Sequence, residues 1–266
     1  MRILVKGAGD IATGTALRLW NGRFQVVMTD LPAPTTLRRK VSFSQAVLDG
    51  SVTVEGVRGI FASSLDEVAN IWDEGAIPVL ADPEASCLPM LKPDVVIDAI
   101  LAKRNLGTTI EDAPLVIGLG PGFTAGTDCH AVVETNRGHD LGRVIIQGSA
   151  APDTGIPGEI GGHSERRVLR APAGGVFRQE LEIGSPVRVG EVVGTVAGVP
   201  MVSKLDGILR GVLTSGILVR EGMKCGDVDP RGEAVYCHTV SDKARAIGGG
   251  VLEAILRCYP GTITLP

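Results

Sequence analysis

Glycine-rich segments with interspersed ionisable side chains are the parts of this sequence most capable of chemistry. The run from 118 to 162 holds eleven glycines together with His130 and His139, and a shorter run lies at Lys6-Gly7-Ala8-Gly9-Asp10. An ordered glycine loses more conformational entropy than any other residue, so it is retained where backbone bends sharply or approaches a ligand. The two runs predict a nucleotide- or cofactor-binding protein.

The N-terminal run has the pattern of a dinucleotide-binding turn. An apolar strand, Arg2–Lys6, leads into the glycines, and Asp30 stands at the end of the next apolar strand. Such glycines permit a tight turn, the following helix N-terminus offers N–H groups to phosphate, and the acid accepts a ribose hydroxyl. A bare strand-to-helix turn is the alternative, since Asp10 would repel a pyrophosphate. The residues predicted to bind cofactor here are Gly7, Gly9, Asp10, Ile11, Thr13 and Asp30.

The longer glycine run begins directly after another predicted strand, Leu115–Gly118. It therefore lies at the carboxyl edge of a sheet, where ligands dock in open α/β folds. A purely structural loop is the alternative. The predicted binding residues are Gly120, Pro121, Gly122, Phe123 and Thr124.

Two charged segments flank these turns, one at 134–143 and one at 37–43. Arginines suit bidentate contacts with an oxyanion, and a basic run can compensate phosphate. Solvated surface is the competing interpretation of both. The residues predicted to bind cofactor therefore also include Arg39, Ser42, Arg137 and Arg143.

Catalytic residues are left unassigned, with three candidates. His130 and Asp128 form a candidate acid/base pair, and His139 is able to exchange protons near neutral pH. Cys129 is the cysteine favoured for reactivity, although most such cysteines are small core residues. The five cysteines are odd in number and have no CxxC pair, so neither a disulfide framework nor a metal site is predicted.

Composition excludes several classes of function. The net charge of −4 and the 3% aromatic content argue against nucleic-acid binding. No signal peptide and no apolar run of membrane-spanning length are recognised, so a cytoplasmic location is expected. Homo-oligomerisation is left open.

The order of apolar runs predicts an α/β fold with a second, all-β domain. Apolar strands without alternation, interleaved with helices, predict a Rossmann-like domain with a parallel sheet over 1–165. From 166 to 230 the helix signals vanish. The remainder, 231–266, is predicted to be a helical segment returning to the first domain, with Ser241 as its N-cap and Gly248–Gly250 kinking it.

The middle region contains an internal repeat. Aligning 174–196 with 206–228 gives nine identities without gaps, which predicts two equivalent half-motifs that bury their faces against each other. The repeat resembles the barrel-sandwich hybrid of biotinyl and lipoyl domains. The hairpin between the halves, 197–200, lacks the lysine that carrier domains modify.

Several longer segments resemble the YqeB family, the accessory proteins of selenium-dependent molybdenum hydroxylase systems. The resemblance implies a bacterial maturation or cofactor-handling role beside such a hydroxylase or its machinery. With the glycine-rich loops, it leads us to expect a bound cofactor that carries phosphate, either molybdopterin-type or NAD(P). The alternatives are an NAD(P)-dependent oxidoreductase and a non-catalytic scaffold that docks the hydroxylase. The segments that carry the resemblance are 5–14, 39–47, 120–126, 134–143 and 154–158.

Overall fold

The computed structural model describes residues 1–261 and divides them into two compact units. The larger unit comprises 1–34, 42–154 and the chain from 240 onward, and the smaller unit comprises 35–41 and 155–239. The smaller unit is thus an insertion between β-sheet segments and the last helix, and it recruits one short early segment.

The larger unit is built on a nine-stranded sheet in the order β10-β9-β7-β6-β1-β2-β5-β4-β3. The pairs from β4 to β9 are all parallel, whereas the edge strands β3 and β10 are antiparallel to their neighbours. The strands of this unit are β1 Arg2–Lys6, β2 Gln25–Thr29, β3 Ser51–Val54, β4 Val57–Ala62, β5 Ile77–Leu80, β6 Val95–Asp98, β7 Leu115–Leu119, β8 Thr124–Ala125, β9 Ala131–Val133, β10 Val144–Ile145 and β11 Gly148–Ser149. The helices are α1 Asp10–Asn21, α2 Ala46–Asp49, α3 Val68–Asp73, α4 Leu88–Leu91 and α5 Asp242–Cys258.

The central strands are almost wholly apolar because the sheet is covered on both faces. All four residues of β5 and of β6 are buried, as are four of the five in β1 and in β2. The predicted strand at Arg2–Lys6 is confirmed.

The predicted purely parallel, Rossmann-like sheet is wrong. The sheet is mixed, and the connections from β6 to β7 and from β7 to β9 contain no helix. A doubly wound fold needs a helical crossover at each of these steps. Here α5, from the far end of the chain, packs against β7, β9 and β10 instead.

Glycines bring α1 and α5 unusually close together. A Cβ added to Gly14 would stand 2.6 Å from Ala244 Cβ, and one added to Gly248 would stand 3.3 Å from Arg18 Cβ. The predicted kink at the glycines of α5 is therefore wrong: the helix runs unbroken from 242 to 258, and its glycines serve close packing. Because 244 faces 14 and 248 faces 18, the two helices run parallel with their N-termini side by side.

The smaller unit contains two curled four-stranded antiparallel sheets, in the orders β12-β19-β17-β14 and β16-β15-β13-β18. Register shifts interrupt the ladders at Leu169/Arg170, Val192/Gly194 and Leu209/Gly211, and such bulges bend a strand locally. The strands are β12 Val168–Arg170, β13 Gly175–Gln179, β14 Pro186–Val187, β15 Val192–Val196, β16 Val199–Val202, β17 Gly207–Val212, β18 Leu218–Val219 and β19 Lys224–Asp229.

The predicted barrel-sandwich hybrid is also wrong as the fold of this unit. A self-contained domain at 166–230 would not need the segment 35–41, yet Leu37 O accepts a hydrogen bond from Val212 N at 2.9 Å. Gly211 is a glycine because the backbone of Leu37 and Arg38 lies about 3 Å from where its Cβ would stand. The unit is a pair of curled antiparallel sheets completed by a distant segment of the chain.

Buried ion pairs lie in the core of the smaller unit. Arg167 pairs with Asp227, and Asp229 accepts from Arg210 at 3.5 Å and from Arg231 at 2.6 Å. These arginines hold the pKa of Asp229 below its usual value despite the opposing effect of burial. Among residues 1–261, none of the helices has the length and apolar character needed to cross a membrane.

Candidate functional site

The carboxyl edge of the large sheet collects the loops that follow β1, β6, β7 and β9. The chain passes from β1 to β2 on one side, while β6 lies on the other side of β1, so the winding direction changes between β1 and β6. In open sheets of this kind, ligands bind at such a point.

A buried polar chain lies at this change of direction. Lys6 and Asp98 are register partners at the ends of β1 and β6. Lys6 Nζ donates to Thr108 Oγ1 at 2.6 Å, and Thr108 Oγ1 donates to Asp98 Oδ2 at 2.6 Å. All three residues are at most 4% exposed. The Thr108 hydroxyl therefore joins an amine and a carboxylate that burial would otherwise leave poorly paired.

The glycines predicted to admit a ligand instead admit the protein's own backbone. Gly7 has φ +93°, and its Cβ would stand 2.9 Å from Ala99 O. Gly122 has φ +110°, and its Cβ would stand 2.6 Å from Arg104 Cα. Both conformations exclude a side chain, and both let the segment after β6 lie across the carboxyl edge.

Asp30 binds the first glycine turn. Its Oδ2 accepts from Ala8 N at 2.9 Å and its Oδ1 from Leu31 N at 2.7 Å. Burial raises the pKa of Asp30, and these two backbone hydrogen bonds partly oppose the shift. The carboxylate thus holds the turn, and its predicted ribose contact stays a prediction.

Ionisable side chains from four separate segments converge beside this turn. We call the following five residues the carboxyl-edge cluster. They are Asp10, Lys103, Glu134, Arg137 and Lys243.

Lys243 is the focus of the cluster. Burial lowers the pKa of its amine; the carboxylate of Asp10 raises it, Arg137 and Lys103 lower it, and Glu134 raises it. An amine whose pKa is shifted by burial and by several charges at once marks a candidate functional site. Arg137 and Glu134 are themselves anchored, the first on Asp242 at 2.5 Å and the second by accepting from Asn136 N and Ala151 N.

Other residues of the first predicted set have structural contacts. Ile11 is 7% exposed and lies in the core, and Gly9 is the N-cap of α1. Thr13 Oγ1 donates to Ala8 O and accepts from Phe43 N. Ser42 is fully buried. Arg39 belongs to the smaller unit, where it donates to Val212 O at 3.0 Å and Gln179 Oε1 at 2.6 Å.

The second predicted loop is tightly packed on itself. Gly120 N donates to Val133 O, and a Cβ at Gly120 would overlap Thr135 Oγ1. Phe123 is 4% exposed. Thr124 N donates to Asp128 Oδ2 at 2.7 Å, and Pro121 is half-buried.

The catalytic candidates do not form a site around His130. His130 Nδ1 accepts from Val116 N at 3.0 Å, while the Asp128 carboxylate accepts from Thr124 N. His139 is exposed, and Arg143 pairs with Asp140 at 3.1 Å on the surface. Backbone contacts occupy both groups of the expected acid/base pair.

Cys129 is fully buried, and burial raises the pKa of its thiol to about 11. A thiol in that state is a poor nucleophile at neutral pH. Within residues 1–261, no three His, Cys, Asp or Glu side chains lie together as a metal site would require.

Sequence reasoning missed Lys6, Asp98, Thr108, Lys103 and Lys243. Lys6 and Asp98 carry a usable signal, because each is the one charged residue at the end of an apolar strand that precedes a turn. Thr108 and Lys103 lie in a loop without a motif, and their roles depend on contacts with distant segments.

A separate depression in the surface lies at the amino edge of the sheet. It encloses about 920 Å³ between α4 and the segment 111–114, and Asp94 and Pro114 lie in it just before β6 and β7 begin. The sheet separates it from the carboxyl-edge cluster. None of the five ionisable residues of that cluster lines the depression. We therefore place the candidate site at the carboxyl edge.

Comparisons with solved structures give proteins of the desuccinylase and aspartoacylase kind. A succinylglutamate desuccinylase/aspartoacylase from Rhodobacter sphaeroides is 16% identical, with 85% of this chain and 84% of that chain covered at a TM-score of 0.28. An aspartoacylase family protein from Mesorhizobium loti is 13% identical, with 85% and 83% covered at 0.26. The ectoine utilization protein EutE (DoeB) from Ruegeria pomeroyi is 8% identical, with 85% of each chain covered at 0.25.

The names of these structures are of another kind than the function predicted from the sequence. The accessory role beside a selenium-dependent molybdenum hydroxylase is not retained, and neither are the alternatives of an NAD(P)-dependent oxidoreductase or a docking scaffold. TM-scores this far below 0.5 assign no reaction to this chain. No protein-family model matches it.

One relative resembles the chain throughout. YqeB of Escherichia coli strain K12 is 52% identical over 254 residues, which is 96% of this chain and 47% of YqeB. The chain therefore spans about half the length of that relative, and the comparison says nothing of selenium or molybdenum. The likeness to YqeB extends over nearly the whole of this chain.

Proposed function

We propose that this protein binds a small organic anion, a carboxylate or a phosphate ester, at the carboxyl-edge cluster. The observation that carries the proposal is the half-buried amine of Lys243 beside the start of α5, whose pKa responds to four charged groups from three other segments. An amine perturbed by burial and by several charges, at the ligand-binding edge of a sheet, is a candidate for a functional site.

Two helix N-termini favour a negative charge at this place. The parallel helices α1 and α5 begin side by side, and each presents the positive end of its dipole to the carboxyl edge. Gly9 has no side chain with which to cap α1. Oxygen atoms of a ligand are able to accept hydrogen bonds from such a helix start.

The acids of the cluster limit the charge of the ligand. The charges that act on Lys243 include the acids Asp10 and Glu134 as well as the cations Lys103 and Arg137. This mixed environment favours a small anion that also has a hydrogen-bond donor over a polyphosphate. The Asp10 carboxylate would accept from that donor.

The lowered pKa of Lys243 adds proton transfer to binding. An amine that loses its proton more easily than an ordinary lysine is able to donate to a bound oxyanion and take the proton back. Lys243 is therefore a candidate acid/base group, and the ligand's reaction is left unassigned.

The predicted cofactors, a molybdopterin-type compound or NAD(P), stay predictions. Both carry phosphate and serve as probes beside simpler anions. Their phosphates would need to reach the start of α1 past Asp10.

The test is isothermal titration of the wild-type protein with inorganic phosphate, citrate and NADPH, repeated on Lys243→Met. A hydrogen bond to a charged group contributes about 1.5–3 kcal/mol, so affinity for the best probe should fall about 10- to 100-fold. Lys204→Met is the matched control, because Lys204 is exposed in the smaller unit. Equal affinities for wild type and Lys243→Met would refute the proposal.

A further inference from the structure

The segment after β6 crosses the carboxyl edge as a strap, which we define as Ile100–Gly107. Its first end is fixed by Asp98 Oδ1, which accepts from Ile100 N at 3.1 Å. Its last end is fixed by Asn105 Oδ1, which accepts from Gly107 N at 2.9 Å and from Thr108 N at 2.8 Å. Both ends are thus tied to residues that belong to, or adjoin, the buried Lys6–Thr108–Asp98 chain.

The strap spans the two glycine turns. Ala99, just before it, packs on Gly7, and the backbone of Arg104, within it, packs on Gly122. The segment between these two contacts must therefore pass over the ends of β1, β6 and β7. A segment on that path lies over the carboxyl edge, where the proposed site is.

Two residues of the strap have a backbone conformation that favours glycine. Leu101 has φ +59° and Lys103 has φ +62°. Side chains rarely adopt this region, and where they do the surroundings must impose it. Glycine at these positions would relieve the strain, so the strap keeps two side chains in a conformation that costs free energy.

The amine of Lys103 forms an ion pair with a partly exposed carboxylate. Lys103 Nζ lies 2.7 Å from Asp153 Oδ2, and the two side chains are 55% and 37% exposed. Its charge also reaches Lys243, whose pKa it lowers. Lys103 therefore has a surface carboxylate as its ion-pair partner, while its charge also acts on Lys243.

We infer that Lys103 is a ligand-binding residue carried on the strap, and that it exchanges its ion pair with Asp153 for the negative group of the bound anion. The inference rests on the proposed function and names one more of the groups that bind the ligand. The Lys103 amine keeps a negatively charged partner throughout the exchange, because the bound anion replaces the Asp153 carboxylate. It is inexpensive because an ion pair between two exposed side chains is weak.

The attachment of the strap to the buried Lys6–Thr108–Asp98 chain is tested without any ligand, by limited trypsin digestion of the full chain. Trypsin cleaves after Lys and Arg, so the rate of cleavage at the bonds after Lys103 and Arg104, identified by mass spectrometry, reports opening of the strap. Thr108→Val should raise that rate several-fold, and Thr108→Ser, which keeps the hydroxyl, should leave it near the wild-type value. Equal rates for Thr108→Val and wild type would show that the buried chain does not hold the strap.

The exchange is tested by titrating inorganic phosphate and citrate into four proteins. Lys103→Gln should lose affinity about fivefold or more, and Asp153→Asn should gain about two- to fivefold because the competitor of the anion is removed. Arg104→Gln, the neighbouring exposed cation, is the control and should match wild type.

The outcomes separate the two proposals. If wild type binds a probe but Lys103→Gln binds it equally well, the strap inference fails and the proposed function stands. A loss of affinity in Asp153→Asn would likewise overturn the exchange. If wild type binds none of phosphate, citrate and NADPH, both proposals fail, whatever the digestion shows of how the strap is held.

Discussion

Lys6 and Asp98 end two neighbouring parallel strands in register, and one hydroxyl, Thr108 Oγ1, lies 2.6 Å from both Lys6 Nζ and Asp98 Oδ2. The three atoms join the centre of the sheet to the segment that crosses its carboxyl edge. A buried amine and a buried carboxylate each need a hydrogen-bonding partner, and Thr108 supplies one to both.

Thr108→Val should lower the free energy of unfolding by about 2–3 kcal/mol, because two buried charged groups lose a hydrogen bond. Thr108→Ser should lower it by less than about 1 kcal/mol, since the hydroxyl is kept. Urea unfolding followed by circular dichroism measures both. A Thr108→Val protein as stable as wild type would show that Lys6 and Asp98 find other partners.

Three helix glycines should respond in opposite directions to alanine. Gly249 has nothing within 4 Å of its Cβ position, so Gly249→Ala should raise the free energy of unfolding by about 0.5–1 kcal/mol. A Cβ added to Gly250 would overlap Gly142 O, and a Cβ added to Gly14 would stand 2.6 Å from Ala244 Cβ. Gly250→Ala and Gly14→Ala should each lower the free energy of unfolding by about 1–3 kcal/mol. The same unfolding measurement decides, and a gain in all three would contradict the close packing of α1 on α5.

Local signals in the sequence predicted local structure well. The strand at Arg2–Lys6 is confirmed, and Ser241 caps α5 by accepting from Ala244 N at 3.2 Å, as predicted. Both follow from the residue itself and its near neighbours.

The kink predicted at the glycines of α5 was wrong for a physical reason. The low helix propensity of a glycine is offset where the missing side chain allows close packing with another segment. The partners here, Gly14 and Gly142, are more than a hundred residues away in sequence. The same limit explains the sheet: nothing near β7 shows that α5 covers it in place of a crossover helix.

The site proposed from the structure shares its place with the site predicted from the sequence, but not its composition. Glycine turns at strand ends pointed to the carboxyl edge, yet their close approaches are to Ala99 and Arg104 of the same chain. Lys103 and Lys243 gain their surroundings from segments far away in sequence. No spacing rule connects them.

Asp229 should stabilise the smaller unit in a pH-dependent way. Its arginine partners hold its pKa below the usual value, so its contribution is present above the ordinary aspartate pKa near 4 and is lost as pH falls through the lowered value. Asp229→Asn should cost about 3 kcal/mol at pH 7, because Arg210 is left buried with a weaker partner.

The measurement is the free energy of unfolding between pH 2 and 7. The difference between wild type and Asp229→Asn should shrink on acidification. Glu221→Gln, at an exposed acid of the same unit, is the control and should change little. A difference that stays constant with pH would contradict the role given to these ion pairs.

The cysteines should differ sharply in reactivity. Cys258 is exposed, whereas burial raises the pKa of Cys129 to about 11 and that of Cys87 to about 12. At pH 8, iodoacetamide should modify Cys258 in the folded protein and reach Cys129 and Cys87 only after unfolding. Peptide mass spectrometry with and without urea gives the answer, and rapid labelling of Cys129 in the folded protein would reopen its catalytic candidacy.

The most direct test of the proposed anion site is the titration of Lys243 itself. With ¹³C-labelled lysine, NMR follows each amine from pH 6 to 12, and Lys243→Met identifies the signal of Lys243. In the free protein Lys243 should titrate below the usual lysine pKa, because burial disfavours its charge. Saturating citrate should raise its pKa, since a bound anion favours the protonated amine, and should leave exposed Lys204 unchanged. If Lys243 titrates like Lys204 and does not respond to citrate or phosphate, the carboxyl-edge cluster is not an anion-binding site.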